Sequence, residues 1–298
     1  TVLLYFKAQL RGMATRLEPR DWISILQFGV LSLVILPMLP DEEMGPYGAL
    51  NPRQVWWMVV LIAGVGLAGY AALKSAGVRY GAAFVGVFGG LASSTATTLL
   101  YARQARALPA AGAMAALVIV IANLVMVMRV GAIAAVVAPG VAVTLLRVIV
   151  PALVLGTLGA FWLWRQLAER AETVLPTTGN PTELKTALGF GAVYALVLLA
   201  AAWLSDFAGN RGLYVLAFVS GLTDVDAITL SSLRLYALER LELIATVTAV
   251  GIAMLANLGF KLGLAAAIGG RALALRAAAG MVSVALGLLA GLAWVGLG

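Results

Sequence analysis

Runs of about twenty apolar residues recur along this chain from Trp22 almost to its end. That is the length an α-helix needs to cross a bilayer core of roughly 30 Å. Charge is scarce between and within them: 11% of the 298 residues are charged, 62% are hydrophobic, and the mean hydropathy is +1.01. A soluble domain carries about 25% charged residues, so this chain has about half the usual solvating side chains. The alternating strand pattern of an outer-membrane barrel is absent. The sequence therefore predicts an all-α integral membrane protein.

The side chains that are missing narrow the chemistry. The chain has no cysteine and no histidine, which excludes disulfides, zinc sites built on those residues, histidine-ligated haem and serine–histidine or cysteine–histidine catalysis. A bound cation would have to be held by carboxylate, hydroxyl, amide or backbone oxygen, an inventory that suits hard ions and protons. The net charge of +7 sits at the ends of apolar runs, where membrane topology and lipid headgroups account for it better than nucleic acid does. No enzyme motif appears, and the chain is read as a non-enzyme without a resident cofactor.

Taken in order, residues 1–50 form a basic, partly apolar lead with Lys7, Arg11, Arg16 and Arg20, a first span over Trp22–Leu39 stopped by Pro37 and Pro40, and an acidic loop from Asp41 to Glu43. No signal-peptide pattern precedes that span, and a chain that begins at Thr1 is expected to be a piece of a longer one. From Asn51 the sequence looks duplicated, with repeats over 51–179 and 180–298. Asn51-Pro52 and Asn180-Pro181 open corresponding spans, Trp56 and Trp57 suggest an interfacial belt, and Gly77-Val78-Arg79 and Gly209-Asn210-Arg211 read as matching loops. Ala122-Asn123-Leu124 matches Ala256-Asn257-Leu258, with Arg129 and Lys261 at similar distances beyond, read as side chains snorkelling to an interface, with a partner role for Asp224 or Asp226 as the alternative. Apolar spans over about 141–164 and 272–296 close the halves. The expectation is about nine spans: one leading helix and two four-span repeats. Four crossings per repeat place the halves in the same orientation, whereas a re-entrant hairpin, for which the lead into Gly89-Gly90 is a candidate, makes them inverted.

The most informative match is GLASSTATTLLYAR (Gly90–Arg103) against GLTDVDAITLSSLR (Gly221–Arg234). A carboxylate in a span costs at least about 2.5–3.5 kcal/mol on insertion scales, and Asp224 and Asp226 put two within three residues. In an unbroken helix they point about 200° apart. If the helix begins near Thr223, both lie in its first turn, where the positive end of the helix dipole favours them. Glycines before each stretch suit a helix break. The competing reading is a capping box with Thr223 as the cap and Asp226 at the third helical position, and with Ser93 or Ser94 capping the first copy. Asn123 and Asn257 fit either hydrogen bonding between helices or ion coordination.

The stretches LQFGVLSLVILPMLP, NPRQVWWMVVLIAGVGLAGYAALKSAG, GGLASSTATTLLYARQAR and FVSGLTDVDAITL resemble the C-terminal membrane domain, of unknown function, of MgtC/SapB family proteins. The N-terminal MgtC-type domain that usually precedes it is missing from this sequence. The resemblance implies a bacterial inner-membrane protein and brings a prior for divalent cations, although the association with magnesium belongs mainly to the missing domain.

These readings converge on one expectation: cation transport, of magnesium or coupled to sodium or protons, through a polar site between the repeats. Asp224 and Asp226 are the expected metal or cation ligands. Ser93, Ser94, Thr95, Thr97 and Thr98 would supply neutral oxygens from the facing half, with Thr223, Thr229, Asn123 and Asn257 in support. The alternative is a non-transporting scaffold or regulator of another membrane protein. Expected partners are the lipid bilayer and the cation, with a homodimer left open. If all nine spans cross, the N-terminal side carries 12 Lys/Arg and three acids and the other side eight of each, which puts the N-terminus in the cytoplasm.

Overall fold

The computed structural model describes residues 19–45, 50–169, 213–237 and 241–297, with Gly189, Ala192, Ala195 and Glu239. The described residues are almost entirely helical. The lead helix α1 (Pro19–Gly29) passes through a π-helical segment (Val30–Ile35) into a short α2 (Leu36–Met38) and stops where Leu39 turns extended ahead of Pro40. The π segment is pinned by Trp56, whose indole N–H donates to the Leu31 carbonyl at 3.0 Å. Trp56 thus serves packing, whereas Trp57 is half exposed.

The long helix α3 (Pro52–Ala107) starts as its sequence dictates. Asn51 caps it by accepting from the Gln54 N–H at 3.1 Å, and Pro52 occupies the first turn, where its missing donor does no harm. A 3₁₀ turn (Pro109–Ala111) leads to α4 (Gly112–Val137), then α5 (Pro139–Glu169). The second half contains α6 (Leu213–Thr223), α7 (Val225–Ala237), α8 (Leu243–Gly269) and α9 (Arg271–Leu297). Five helices are long and apolar enough to cross a membrane: Tyr80–Ala107 within α3, the turn with α4, and α5, α8 and α9. This is a multi-pass membrane protein. Trp22–Met38 and Leu213–Thr223 are apolar but shorter, so the described residues carry fewer full-length spans than the nine expected.

One expectation changes here. Gly77-Val78-Arg79 is helical rather than a loop, because a lone glycine weakens a helix by only about 1 kcal/mol and nothing beside it forces a turn. The counterpart stretches at Asn180-Pro181 and Gly209-Asn210-Arg211 lie outside the described residues. The break comes later in α3. A β-carbon placed on Gly89 would lie 3.4 Å from Cβ of Thr97, eight residues further along, although such residues are about 12 Å apart in a straight helix. Before this bend, Gly86 faces Ile121 and Gly90 faces Ala122, so the chain advances in the same sense as α4. After it, the short connection makes residues 94–107 run against α4.

Helix α4 is the centre of the bundle, apolar except for Asn123 and Arg129 and buried from Gly112 to Val127 save for a partly exposed Ile121. Helices α5 and α9 flank it and leave large apolar side chains such as Phe161, Trp162, Leu286 and Trp294 on the outside, as lipid-facing helices do. They pack antiparallel: Val148 meets Gly291, Ala152 meets Gly287, and Gly159 meets Gly280. Glycine lets these backbones approach closely, which is how helices associate where no hydrophobic force separates protein from lipid. After its bend α3 runs parallel to α8, with Ser94 against Lys261 and Ala102 against Gly269. Helix α4 therefore runs opposite to α8, as α5 does to α9.

Candidate functional site

The two signature stretches fold alike. A β-carbon on Gly90 would lie 2.8 Å from Cα of Ala122, and one on Gly221 2.6 Å from Cα of Ala253. Only glycine permits contact that close, and each presses the start of its stretch onto the following long helix. Immediately afterwards a side chain restarts the helix. Ser93 Oγ accepts from the Ala96 N–H at 3.2 Å, and Asp224 Oδ1 accepts from the Asp226 N–H at 2.8 Å. Asp224 is itself non-helical, between α6 and α7. The expected cap in the second copy is thus corrected: Asp224 caps, while Thr223 donates back to the Ser220 carbonyl at 3.1 Å.

A broken helix exposes carbonyls that the next turn does not use. At the first break Arg129 takes them, its guanidinium donating to the carbonyls of Leu91 at 3.0 Å and Gly90 at 3.4 Å. At the second, Asn257 Nδ2 donates to the Gly221 carbonyl at 2.7 Å. Arg129 also crosses to the other half and pairs with Asp226 at 2.6 Å, both side chains about a third exposed.

Both breaks open onto one cavity of about 210 Å³. Ser93, Ser94 and Thr95 line it from one side, Thr223, Asp224 and Asp226 from the other, and Met126, Arg129, Asn257 and Lys261 from α4 and α8. The stretches singled out in the sequence do meet. Thr97 and Thr98 do not reach the cavity; their hydroxyls donate to the Ser93 and Ser94 carbonyls of their own helix, each at 2.8 Å. Thr229 is buried without lining it. Asn123 lies one step behind: its Oδ1 accepts from Lys261 at 3.2 Å, and its Nδ2 donates to the Ile119 carbonyl.

Two residues whose first reading is snorkelling, with pairing to the aspartates as the alternative, belong here. Lys261 is 1% exposed and donates to Ser94 Oγ at 2.6 Å as well as to Asn123. The signal was available: more than two turns of α8 follow Lys261 before Gly269, too far for the side chain to snorkel, and an ionisable residue at such depth points to function. Arg129 is held by its ion pair. The matched asparagines are also not equivalent. Ala122 contacts Gly90 and Ala253 contacts Gly221, so Ala253, not Ala256, corresponds to Ala122. Asn257 then takes the place of Met126, which lines the cavity beside it. A slip of about one turn keeps residues on the same helix face, and the identical tripeptides concealed it.

The site mixes charge. Asp226 is bound by Arg129, and among the described residues no group of three or more acidic, histidine or cysteine side chains gathers to hold a metal. Two acceptors, Asp226 Oδ1 and Asn257 Oδ1, and one donor, Arg129 Nε, are buried there without a hydrogen-bond partner among the described residues.

A family model described as a domain of unknown function (DUF4010) matches residues 60–269. A protein of Aquifex aeolicus (strain VF5), described only as an uncharacterized protein, is 30% identical over 190 residues, covering 63% of this chain and 82% of its own length. No solved structure matches. The matched residues span both helix breaks, Arg129 and Lys261, and on that match the chain belongs to the DUF4010 family.

Proposed function

We propose that this protein is a membrane transporter that carries a positively charged cargo group through the cavity between its two halves. One observation supports this above the others: two glycine-led helix breaks converge on one polar cavity, open to the outside at Asp224, in an otherwise apolar bundle. Broken helices at a shared midpoint are how transporters place unsatisfied backbone and polar side chains at depth. The antiparallel course of α5 against α9 supports reading the halves as an inverted repeat, which allows the cavity to open alternately to each side. The bacterial inner membrane, a cytoplasmic N-terminus and a place beside an MgtC-type domain belong to this proposal and rest on the sequence.

Asp224, the cavity carboxylate with no ion pair among the described residues, is the principal acceptor, with Ser93, Thr95, Thr223 and Asn257 Oδ1 around it. Because Arg129 neutralises Asp226, the acidic side suits a singly charged group better than magnesium. A scaffold would want a dry, packed centre, and the cavity speaks against that reading.

The test is flux. Purified protein in proteoliposomes is expected to move a solute with a positively charged group from a panel of alkali and alkaline-earth ions, small amines and small amino acids, and Asp224→Asn to slow that flux about tenfold or more, the scale of a lost charge-assisted hydrogen bond. Flux unchanged in the Asp224→Asn, Asp226→Asn double variant would overturn the reading.

A further inference from the structure

We propose that the cargo is a small zwitterion, its ammonium received by Asp224 and Asn257 and its carboxylate by Lys261. This rests on the transport reading and adds the substrate class. Four charged side chains line the cavity: Asp224, Asp226, Arg129 and Lys261. Asp226 and Arg129 are engaged with each other at 2.6 Å. What remains is one uncommitted charge of each sign.

Lys261 is the positive one. It is buried, and its partners are neutral: the Ser94 hydroxyl and the Asn123 amide oxygen. An ammonium has three N–H donors, so these two bonds leave one unused at the cavity wall. Among the described residues Lys261 forms no ion pair. A buried cation satisfied only by dipoles is short of a counter-charge, and a carboxylate supplies both the charge and the missing acceptor. From the helices packed on α8, the charged groups acting on Lys261 are Arg129 of α4, Asp226 of α7 and Asp224 at the break. Arg276 of α9 is elsewhere, against Gly112.

Asp224 is the negative one. Among the described residues its Oδ1 accepts only from the Asp226 backbone, and Asn257, 2% exposed and also lining the cavity, keeps Oδ1 unpartnered while its amide nitrogen donates to the Gly221 carbonyl. Two acceptors thus stand ready for N–H donors. A bare cation entering the cavity would face Lys261, and a bare anion would face Asp224; a solute with both charges meets neither conflict. The cavity, of about 210 Å³, suits a small solute.

The experiment uses the full chain in proteoliposomes with radiolabelled glycine, alanine and β-alanine. Sodium and magnesium flux are followed in parallel, and methylamine and acetate serve as single-charge competitors. Saturable uptake of a zwitterion is expected, with each competitor at least about tenfold weaker. Lys261→Met should weaken competition by acetate but not by methylamine, and Asp224→Asn the reverse; Lys261→Arg, which keeps the charge, should retain zwitterion binding. The competitor series on the unmutated chain decides the matter even if a variant fails to fold. Metal-ion flux without zwitterion uptake would overturn the zwitterion and leave transport standing. Absence of any flux would overturn both, and equal loss of both competitors in both charge-removing variants would overturn the division of the site.

Discussion

The break at Gly90–Ala96 and the break at Gly221–Asp226 solve one backbone problem with different chemistry. In each, a glycine presses on an alanine of the next long helix, a side-chain oxygen caps the restarted helix, and a polar side chain from the partner helix takes the glycine carbonyl. The first break does this with Ser93 and Arg129, the second with Asp224 and Asn257. Hydroxyl faces arginine on one side and carboxylate faces amide on the other. Geometry is shared and charge is divided, so that neither half alone contains the site. A single broken helix in lipid would only expose backbone. Two of them, carrying complementary polar groups, can share a cavity.

If the shared geometry depends on close approach, its removal should have the largest effect. Gly90→Leu and Gly221→Leu each force a side chain into the backbone of α4 or α8, and each should lower stability by about 3 kcal/mol, read as a lost or sharply lowered melting transition in detergent. Tolerance of one substitution but not the other would break the equivalence. Next comes the charge that ties the halves: Arg129→Gln leaves Asp226 unpaired and two carbonyls unserved, a loss of about 1–3 kcal/mol given the partial exposure of the pair. Unfolding of the purified variant by denaturant measures it, and Asp226→Asn in the same background should recover part of it.

Smaller effects separate the roles of individual residues. Ser93→Ala and Asp224→Ala each remove a cap and should lower stability similarly, by about 1 kcal/mol, yet only Asp224→Ala should stop transport. Equal flux in the two would contradict the division of charge. Smallest of all, Asn257→Leu should destabilise less than Asn123→Leu. The first loses a bond between helices, for which about 0.6 kcal/mol is an average and about 1.7 a maximum. The second loses a bond within α4 and a neutral partner of Lys261.

Much of this organisation was legible in the sequence because membrane helices announce themselves by length and apolarity. Helices α4, α5, α8 and α9 fall where the hydrophobic runs do, and the meeting of GLASSTATT with GLTDVDA follows from their likeness. What was hidden depends on neighbours that a single helix does not display. Helix α3 continues through Gly77 because one glycine is too weak a signal to end it. The depth of Lys261 is readable from the span around it, but its partner Ser94, far away in sequence, is not. Local identity also cannot fix register to better than a turn, so Asn123 and Asn257 looked equivalent until Gly90 and Gly221 identified their true partners.

Because the chain has no native cysteine, the central claim can be tested directly with single substitutions in an unmodified background. Ser93→Cys and Thr223→Cys, one from each break, are treated in native membranes with a small charged thiol reagent, with Thr98→Cys and Ala115→Cys as buried controls. Rapid labelling is expected at the first two positions, with protection by the transported solute and no labelling at the controls. Inert cysteines at both Ser93 and Thr223 would mean that the breaks meet in a dry, packed centre, and the transport reading would be wrong.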